Sequence, residues 1–223
     1  DSKTDIAPSD GTFSLQYLLG ENLQAFAVAN AASVTDADRL ETVKLHIDPR
    51  GENVVWLSGV VRFSSDKSVS SIDLQMERVV SQLNFTPVED AAELQTLGRF
   101  DRIDYTFKGI SDTYVVSGRH AEPSDVTVSS DASAGFKASV YTFETATSGT
   151  AASLFLDYYK GGAQVNSSYA DLSLGVIRGS MRYNVTFPVT DANYLATSWT
   201  GASQAAPRAM GGAAEVRIEC SEL

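Results

Sequence analysis

The sequence predicts an all-β protein of the sandwich type, and two patterns carry that prediction. Apolar and polar residues alternate with a period of two in many short stretches, as they do in strands that bury one face. Turns rich in glycine or proline separate most of these stretches, among them Asp48–Gly51, Ser148–Gly149 and Gly161–Gly162. Many short strands divided by such turns are typical of two packed sheets.

The clearest alternation changes its parity part-way. Apolar residues occupy the even positions from Ile72 to Met76, and the less polar residues occupy the odd positions from Val79 to Phe85. Because a slip of one residue would expose the whole apolar set, the pattern predicts a β-bulge between Glu77 and Val79. Further strands are predicted at 23–29, 54–63, 103–107, 113–116, 137–143, 153–159, 170–177, 183–189 and 214–220.

Two short helical segments are predicted beside the sheets. The first is a turn or two that ends before Lys44. In the second, Thr86 is the predicted N-cap, Pro87 fits the first helical position, and Glu89 completes a capping box. Gly98 is placed to end this second helix.

The length of 223 residues suits one large β domain or two small ones. The polar, turn-rich stretch Ser117–Asp125 predicts a boundary that divides the chain into domains 1–119 and 120–223. Small residues fill Gly201–Ala214, which predicts a mobile loop or linker. That segment leads to a final predicted strand, Glu215–Cys220, within a tail of residues 212–223.

Composition excludes several classes of partner and fold. The net charge of −11 repels phosphate backbones and anionic membrane surfaces, so nucleic acid is not an expected partner. The single cysteine, Cys220, rules out an internal disulfide. No apolar run approaches the roughly 18 residues of a membrane helix, and no apolar stretch follows Asp1. We therefore expect a soluble, exported chain whose signal segment has been removed.

Residues suited to catalysis are scarce. The two histidines, His46 and His120, lie in polar, turn-like sequence, and no spacing of histidine or cysteine indicates a metal site. The carboxylate pairs Asp36/Asp38 and Glu89/Asp90 fit helix N-termini, which favour acidic residues. No enzyme activity, cofactor or metal is expected. A glycosidase stays a weak alternative, because its two carboxylates can lie far apart in sequence.

Aromatic residues offer a binding role as an alternative to packing. Trp56, Trp199 and the pair Tyr158–Tyr159 are candidates for stacking on sugars, although packing in the core is the commoner fate of such side chains. Trp199 is the preferred candidate, because it lies in a polar stretch. Cys220 alternates with Val216 and Ile218, which predicts a buried apolar side chain rather than a reactive thiol.

Several stretches, taken in order, resemble a known family. The first half contains Leu23–Asn30, Trp56–Gly59 and Ile72–Leu83. These resemble three successive strands in the amino-terminal domain of the fimbrillins of Bacteroides-type bacteria. The second half, which resembles later strands of that family, contains Phe143–Glu144, Leu154–Tyr159 and Arg178–Phe187.

The resemblance implies two transthyretin-like β-sandwich domains in tandem and a place at the cell surface or outer membrane. Export as a lipoprotein is also implied, with membrane contact only through a lipid anchor on the precursor. The implied partners are other fimbrial subunits, bound by β-strand addition, and host or bacterial surface ligands. The candidate donor strand consists of Glu215, Val216, Arg217, Ile218, Glu219 and Cys220. Its alternative role is that of a plain final strand in its own domain.

The chain also departs from the family. No arginine precedes Arg39, although an arginine-specific protease removes an early strand in polymerising members, and Arg178–Gly179 stands where the family shows Arg-Asn. The expected function is a non-enzymatic structural or adhesive fimbrial subunit, with an anchor, tip or minor position at least as well supported as the stalk. A surface carbohydrate-binding module of a glycan-uptake system is the alternative.

Overall fold

The structure is a computed structural model, and it is almost entirely β. It describes residues 20–36, 40–51, 54–65, 72–89, 92, 94, 98–145, 152–172, 177–190, 193–200 and 215–222. Sixteen strands occupy most of these residues, so the all-β prediction is confirmed. The strands are β1 Gly20–Ala25, β2 Val28–Ala29, β3 Ser33–Thr35, β4 Lys44–His46, β5 Trp56–Ser58, β6 Val61–Ser65, β7 Met76–Arg78, β8 Val80–Pro87, β9 Arg102–Val115, β10 His120–Asp131, β11 Ala138–Phe143, β12 Ser153–Lys160, β13 Ala163–Asp171, β14 Met181–Phe187, β15 Tyr194–Thr200 and β16 Glu215–Glu222.

One sheet of 11 strands forms the bulk of the protein, and it folds over to make a sandwich-like arrangement. Its order is β11-β8-β14-β16-β15-β13-β12-β9-β4-β3, with β10 also paired to β9. Apolar side chains from the two halves meet face to face between the layers. The rings of Phe85 in β8 and Phe107 in β9, for example, have centroids 4.4 Å apart. Period-two burial along both strands supplies this interior.

Two smaller sheets involve the first part of the chain. One contains β2, β5 and β7, and the other pairs β1 with β6. Their strands are short, with only two residues in β2 and three in each of β5 and β7. Two of these short strands, β2 and β5, contribute side chains to a second group of buried apolar residues.

The predicted change of parity lies where the chain passes from one sheet to another. Val79 separates β7, which pairs with β5 in a small sheet, from β8, which pairs with β11 and β14 in the large sheet. A break between two strands therefore stands where a β-bulge was predicted. Val79, Ser81, Leu83 and Phe85 are all buried, as the odd-position pattern predicted. A chain that leaves one sheet for another must redirect its buried face, and this explains the irregularity.

The buried apolar residues form two clusters. The larger one collects side chains of β8 to β16, including Phe85, Tyr105, Phe107, Leu156, Phe187, Val216 and Ile218. The smaller one consists of Val43, Leu45, Ile47, Val55, Leu57, Val79, Val80, Tyr114, Val116 and Phe143. Part of the smaller cluster therefore comes from β9 and β11, whose other residues pack in the larger cluster.

Both predicted helical segments contain helical residues, but the predicted start of the second helix was wrong. Thr86 and Pro87 lie at the end of β8 rather than at a helix N-terminus, because β8 continues its alternation and pairs with β14 through both residues. Ala92 and Leu94 are helical, but the residues between and after them, before Gly98, lie outside the described part. The segment before Lys44 contains a 3-10 turn at Leu40–Thr42.

Two of the predicted turns are confirmed. Gly161 and Gly162 join β12 to β13 with φ values of 56° and 83°, which glycine adopts without strain. The amide of Gly51 donates to the Asp48 carbonyl at 3.0 Å, closing the second turn. Ser148–Gly149 and the predicted linker Gly201–Ala214 lie outside the described residues.

The stretch Ser117–Asp125 is mostly strand rather than linker. Only its first residues form a turn, and His120 begins β10, which pairs with β9 along its length. Its polar character suits a strand whose side chains are largely exposed, and the register shift between Glu122 and Ser124 accommodates Pro123. The division into domains 1–119 and 120–223 stays a prediction; its boundary falls in the turn of this hairpin.

Sequence patterns misplaced one strand, β13, and missed four others, β3, β4, β10 and β15. The predicted strand 170–177 is displaced, because β13 occupies Ala163–Asp171 and only its last two residues overlap the prediction. β15 was not predicted at all. Both segments carry mixed polar and aromatic side chains, so neither shows a clean alternation of apolar residues.

Candidate binding surfaces

The outward face of the large sheet carries a row of aromatic side chains. In β12 the residues Leu154, Leu156 and Tyr158 are buried, so alternation turns Phe155 to the opposite, outer face. Phe155 pairs directly with Tyr169 in β13, and Tyr169 pairs with Tyr194 in β15. The register of three neighbouring strands therefore aligns three rings across the sheet, which we call the aromatic row.

The rings of the aromatic row contact one another but remain accessible. The centroids of Phe155 and Tyr169 are 5.8 Å apart, and those of Tyr169 and Tyr194 are 5.1 Å apart. Tyr169 is 43% exposed and Tyr194 is 54% exposed. The Lys108 ammonium lies 5.0 Å from the Phe155 centroid, so it covers the inner end of the row.

Polar side chains lie beside the aromatic row on the same face. Asp104 in β9 pairs with Asp157 in β12, which places two carboxylates next to each other. The Arg102 side chain lies 2.9 Å from Asp104 (Nε to Oδ1), and its guanidinium lies 4.2 Å from the Tyr159 ring centroid. The Gln164 amide donates to Asp157 Oδ1 at 2.9 Å. The face thus combines rings with hydrogen-bonding groups.

Partial burial raises the pKa of Asp157 above its ordinary value, and the neighbouring Asp104 carboxylate raises it further. Both effects disfavour the charged form of Asp157. A ligand group that donates a hydrogen bond to this carboxylate would compensate part of that cost.

A second feature is the position of the final strand. β16 lies between β14, to which it is antiparallel, and β15, to which it is parallel. Its Val216 and Ile218 side chains are fully buried in the larger cluster, whereas Arg217 and Glu219 are exposed. A strand at the end of the chain thus fills an interior position of the sheet, which we call the β16 slot.

The structure places the candidate donor strand in its own chain's sheet. Cys220 is half-buried, and burial raises the pKa of its thiol, which agrees with a packing role. Glu215 pairs with Ala196 through its backbone. Within the described chain these residues act as a final strand of their own sheet, and their role as a donor to another subunit stays a prediction.

The aromatic candidates from the sequence do not come together. Tyr158 is buried in the larger cluster, and Tyr159 lies under Arg102. Trp56 is exposed on β5, in a different sheet. The backbone of Trp199 pairs with Ile218 in β16. Phe155, Tyr169 and Tyr194 were missed, because only strand pairing brings them together.

The histidines and carboxylates form no evident catalytic group among the described residues. His46 is held by the Thr35 and Thr113 hydroxyls, at 2.9 Å from Nε2 and 3.2 Å from Nδ1. His120 lines an open cavity of about 710 Å³ with Asp36, Glu41, Thr42, Lys44, Val115 and Glu122. In the part of the chain that the structure describes, no cluster of three or more His, Cys, Asp and Glu side chains is arranged to hold a metal ion. Asp38 and Asp90 lie outside that part.

Comparison with known proteins shows the fold. No protein-family model matches the chain, and no curated protein sequence matches it. A solved structure described as candidate polysaccharide-binding proteins from Bacteroides thetaiotaomicron has a TM-score of 0.52 at 14% identity, covering 79% of this chain and 72% of that chain. This chain shares that fold.

Other solved structures give lower scores. A candidate cell adhesion protein from Bacteroides uniformis has a TM-score of 0.49 at 13% identity, covering 89% of this chain and 72% of that chain. A candidate adhesin from Bacteroides thetaiotaomicron has a TM-score of 0.48 at 8% identity, covering 82% of this chain and 73% of that chain. Among the described residues, no helix has both the length and the apolar character needed to cross a membrane.

Proposed function

We propose that this protein is a non-enzymatic adhesive and structural subunit of a fimbrial type, exported to the cell surface and joined to other subunits by β-strand addition. The observation that carries the proposal is the β16 slot. The last strand of the chain occupies an interior position between β14 and β15 rather than an edge.

The β16 slot has the properties that an incoming strand requires. Without β16, the facing edges of β14 and β15 would lose their backbone hydrogen-bond partners, and the larger cluster would lose Val216 and Ile218. A strand from another subunit that presents two apolar side chains in the same register would restore both losses. The alternation Val216-Arg217-Ile218-Glu219 suits this exchange, because one face is apolar and the other is charged.

The connection between β15 and β16 is long enough to allow β16 to be exchanged between subunits. β15 ends at Thr200 and β16 begins at Glu215, so residues 201–214, which number 14, connect the two parallel strands. A fully extended connection of that length spans about 45–50 Å. Such a reach permits β16 to enter its own slot or the slot of a neighbouring subunit, much as in domain swapping.

The shared fold supports surface binding rather than catalysis. The structure from Bacteroides thetaiotaomicron is described as candidate polysaccharide-binding proteins. Gly179, which stands where the family shows asparagine, leaves an anchor, tip or minor position at least as well supported as a stalk position. A lipid anchor on the precursor would supply the membrane attachment.

Strand exchange can be tested on the full chain with a labelled peptide. A fluorescent peptide of residues 212–223 is incubated with the chain, and its incorporation is followed by size-exclusion chromatography. We expect slow, one-to-one incorporation, because the peptide must replace the resident β16. A matched peptide with Ile218→Asp should not be incorporated, since a charge would enter the larger cluster. Equal uptake of both peptides, or uptake of neither, would contradict the proposal.

A further inference from the structure

We propose that the aromatic row binds a neutral glycan, which packs against the exposed rings of Tyr169 and Tyr194 and donates hydroxyl hydrogen bonds to Asp157. This inference names the ligand class of the adhesive function proposed above and rests on that function. It follows from the exposure of the rings, from the charges around them and from the width of the row.

The first argument is exposure. Most large aromatic side chains of the described chain are buried, and the fully buried ones include Tyr105, Tyr114, Phe107 and Phe187. Tyr169 and Tyr194, by contrast, lie side by side and are 43% and 54% exposed. The Tyr169 and Tyr194 rings meet nearly edge to face, at an interplanar angle of 63°. Together they form an angled apolar surface, on which a sugar ring can stack against one ring and contact the edge of the other.

The second argument is charge complementarity. The two cations beside the row already face acids on the same surface: Arg102 lies beside Asp104, and Lys108 lies 3.9 Å from Asp125. Asp157 adds a further carboxylate. The local charge is therefore net negative, which disfavours phosphates and acidic polysaccharides but not a neutral glycan.

The third argument concerns width. The aromatic row is a single residue wide along each strand, because the positions two residues before and after Phe155 are Ser153 and Asp157. A stable protein interface buries roughly 1,200–2,000 Å² around an apolar centre, which such a narrow row does not provide. Sugars alternate apolar C–H faces with hydroxyl rims, and this matches rings bordered by polar side chains.

Asp157 is placed to recognise those hydroxyls. It pairs with Ser167 of β13 and is adjacent to Phe155 and Tyr169 in the same sheet. One of its oxygens accepts from Gln164, so its position is fixed before any ligand binds. An ionised carboxylate accepts strong hydrogen bonds from hydroxyl donors. The rings would supply contact area, and Asp157 would supply orientation.

The test is affinity gel electrophoresis of the full chain in gels that contain a soluble β-glucan, α-glucan, mannan or xylan, with polygalacturonate as the acidic counterpart. We expect at least one neutral polysaccharide to retard the protein more strongly than polygalacturonate does. The Tyr169→Ala/Tyr194→Ala double variant should weaken that retardation at least tenfold. Tyr194→Phe, which keeps the ring, should stay within about threefold of the unmodified chain.

Trp56→Ala is the matched aromatic control, because Trp56 is exposed but lies on a different sheet. It should leave retardation unchanged, and thermal melts should show that every variant remains folded. Failure of all four neutral polysaccharides to retard the chain, retardation by polygalacturonate alone, or full retardation of the folded double variant would overturn the inference. Peptide uptake at the β16 slot, measured on the same variants, separates the two proposals. Uptake without glycan binding would contradict only the assignment of the ligand. Glycan binding without uptake would contradict only the strand-exchange function.

Discussion

The larger and smaller hydrophobic clusters are built in different ways. The larger cluster lies between long strands, of which β9 has 14 residues and β10 has 12. It is rich in aromatic side chains, including Phe85, Tyr105 and Phe107. The smaller cluster is mainly aliphatic, and its own strands β2, β4 and β5 have only two or three residues each.

This difference indicates that the region of the smaller cluster depends on the larger region for its packing, whereas the larger region does not depend on the smaller one. The smaller cluster is completed by Tyr114, Val116 and Phe143, which come from the long hairpin and from β11. Among the residues that the structure describes, the larger cluster includes none from β1 to β7. The region of the smaller cluster should therefore be able to open alone, whereas loss of the larger cluster should unfold both regions.

The largest expected effect is that of Phe107→Ala. Phe107 is fully buried and contacts the Phe85 ring across the sandwich. The substitution should destabilise the protein by about 3–5 kcal/mol and should unfold both regions together. Urea unfolding followed by tyrosine and tryptophan fluorescence measures this. Exposed Val88→Ala is the control, with an expected change within about 0.5 kcal/mol.

Leu57→Ala should act more locally. Leu57 is fully buried in the smaller cluster, on the three-residue strand β5. We expect a loss of about 2–4 kcal/mol in that region. Hydrogen exchange should then become fast in β5 and β7 while β8 and β14 remain protected. Equal loss of protection in both pairs of strands would show that the regions unfold as one unit.

Gly179→Ala tests the junction between the two regions. A Cβ at Gly179 would lie 2.2 Å from the backbone carbonyl oxygen of Arg78, at the passage from β7 to β8. The substitution should cost about 1–3 kcal/mol, because backbone atoms must move to make room. Gly59→Ala is a matched control, since nothing lies within 4 Å of the added Cβ. If thermal melts of the two variants coincide, the close approach of Gly179 to the Arg78 carbonyl does not contribute to the stability of the protein.

The smallest effect concerns pH and should appear only in the larger region. The folded-state pKa of Asp157 lies above its ordinary value of 3.8, so its charge opposes folding. The resulting loss of stability is absent below pH 3.8, grows as the pH rises from 3.8 to the raised pKa, and is complete above that pKa. Asp157→Asn should therefore stabilise the protein at pH 7 by at most about 0.5 kcal/mol, after allowance for solvent screening.

The gain from Asp157→Asn should vanish near pH 3, because Asp157 is then neutral in both the folded and the unfolded chain. Urea unfolding at pH 3 and pH 7 measures the difference. Asp125→Asn is the control, since Asp125 lies at the exposed edge of the same face. A variant less stable than the unmodified chain at pH 7 would mean that the Asp157 charge stabilises the fold.

Sequence patterns predicted those elements whose burial follows a simple period. The alternation around Phe85 predicted both the strand and its change of face at Val79, because burial of one face of a strand produces a period-two pattern in the local sequence. The helix start at Thr86 failed, because pairing of β8 with β14 overrode local capping preferences.

The candidate site was harder to predict than the fold. Phe155, Tyr169 and Tyr194 belong to three strands, and two of these strands were misplaced or missed. Their proximity depends on a parallel pairing between β13 and β15. Register between strands is set by tertiary packing, so local residue order did not reveal it.

Disulfide cross-linking between β14 and β16 tests strand addition most directly. Asn184 and Glu219 pair across these strands, and both can be changed to cysteine in a Cys220→Ser background. Under oxidation at high concentration, strand addition predicts a ladder of covalent multimers, whereas dilute refolded chains should form only internal disulfides. Monomers with internal disulfides at every concentration would contradict strand addition between subunits.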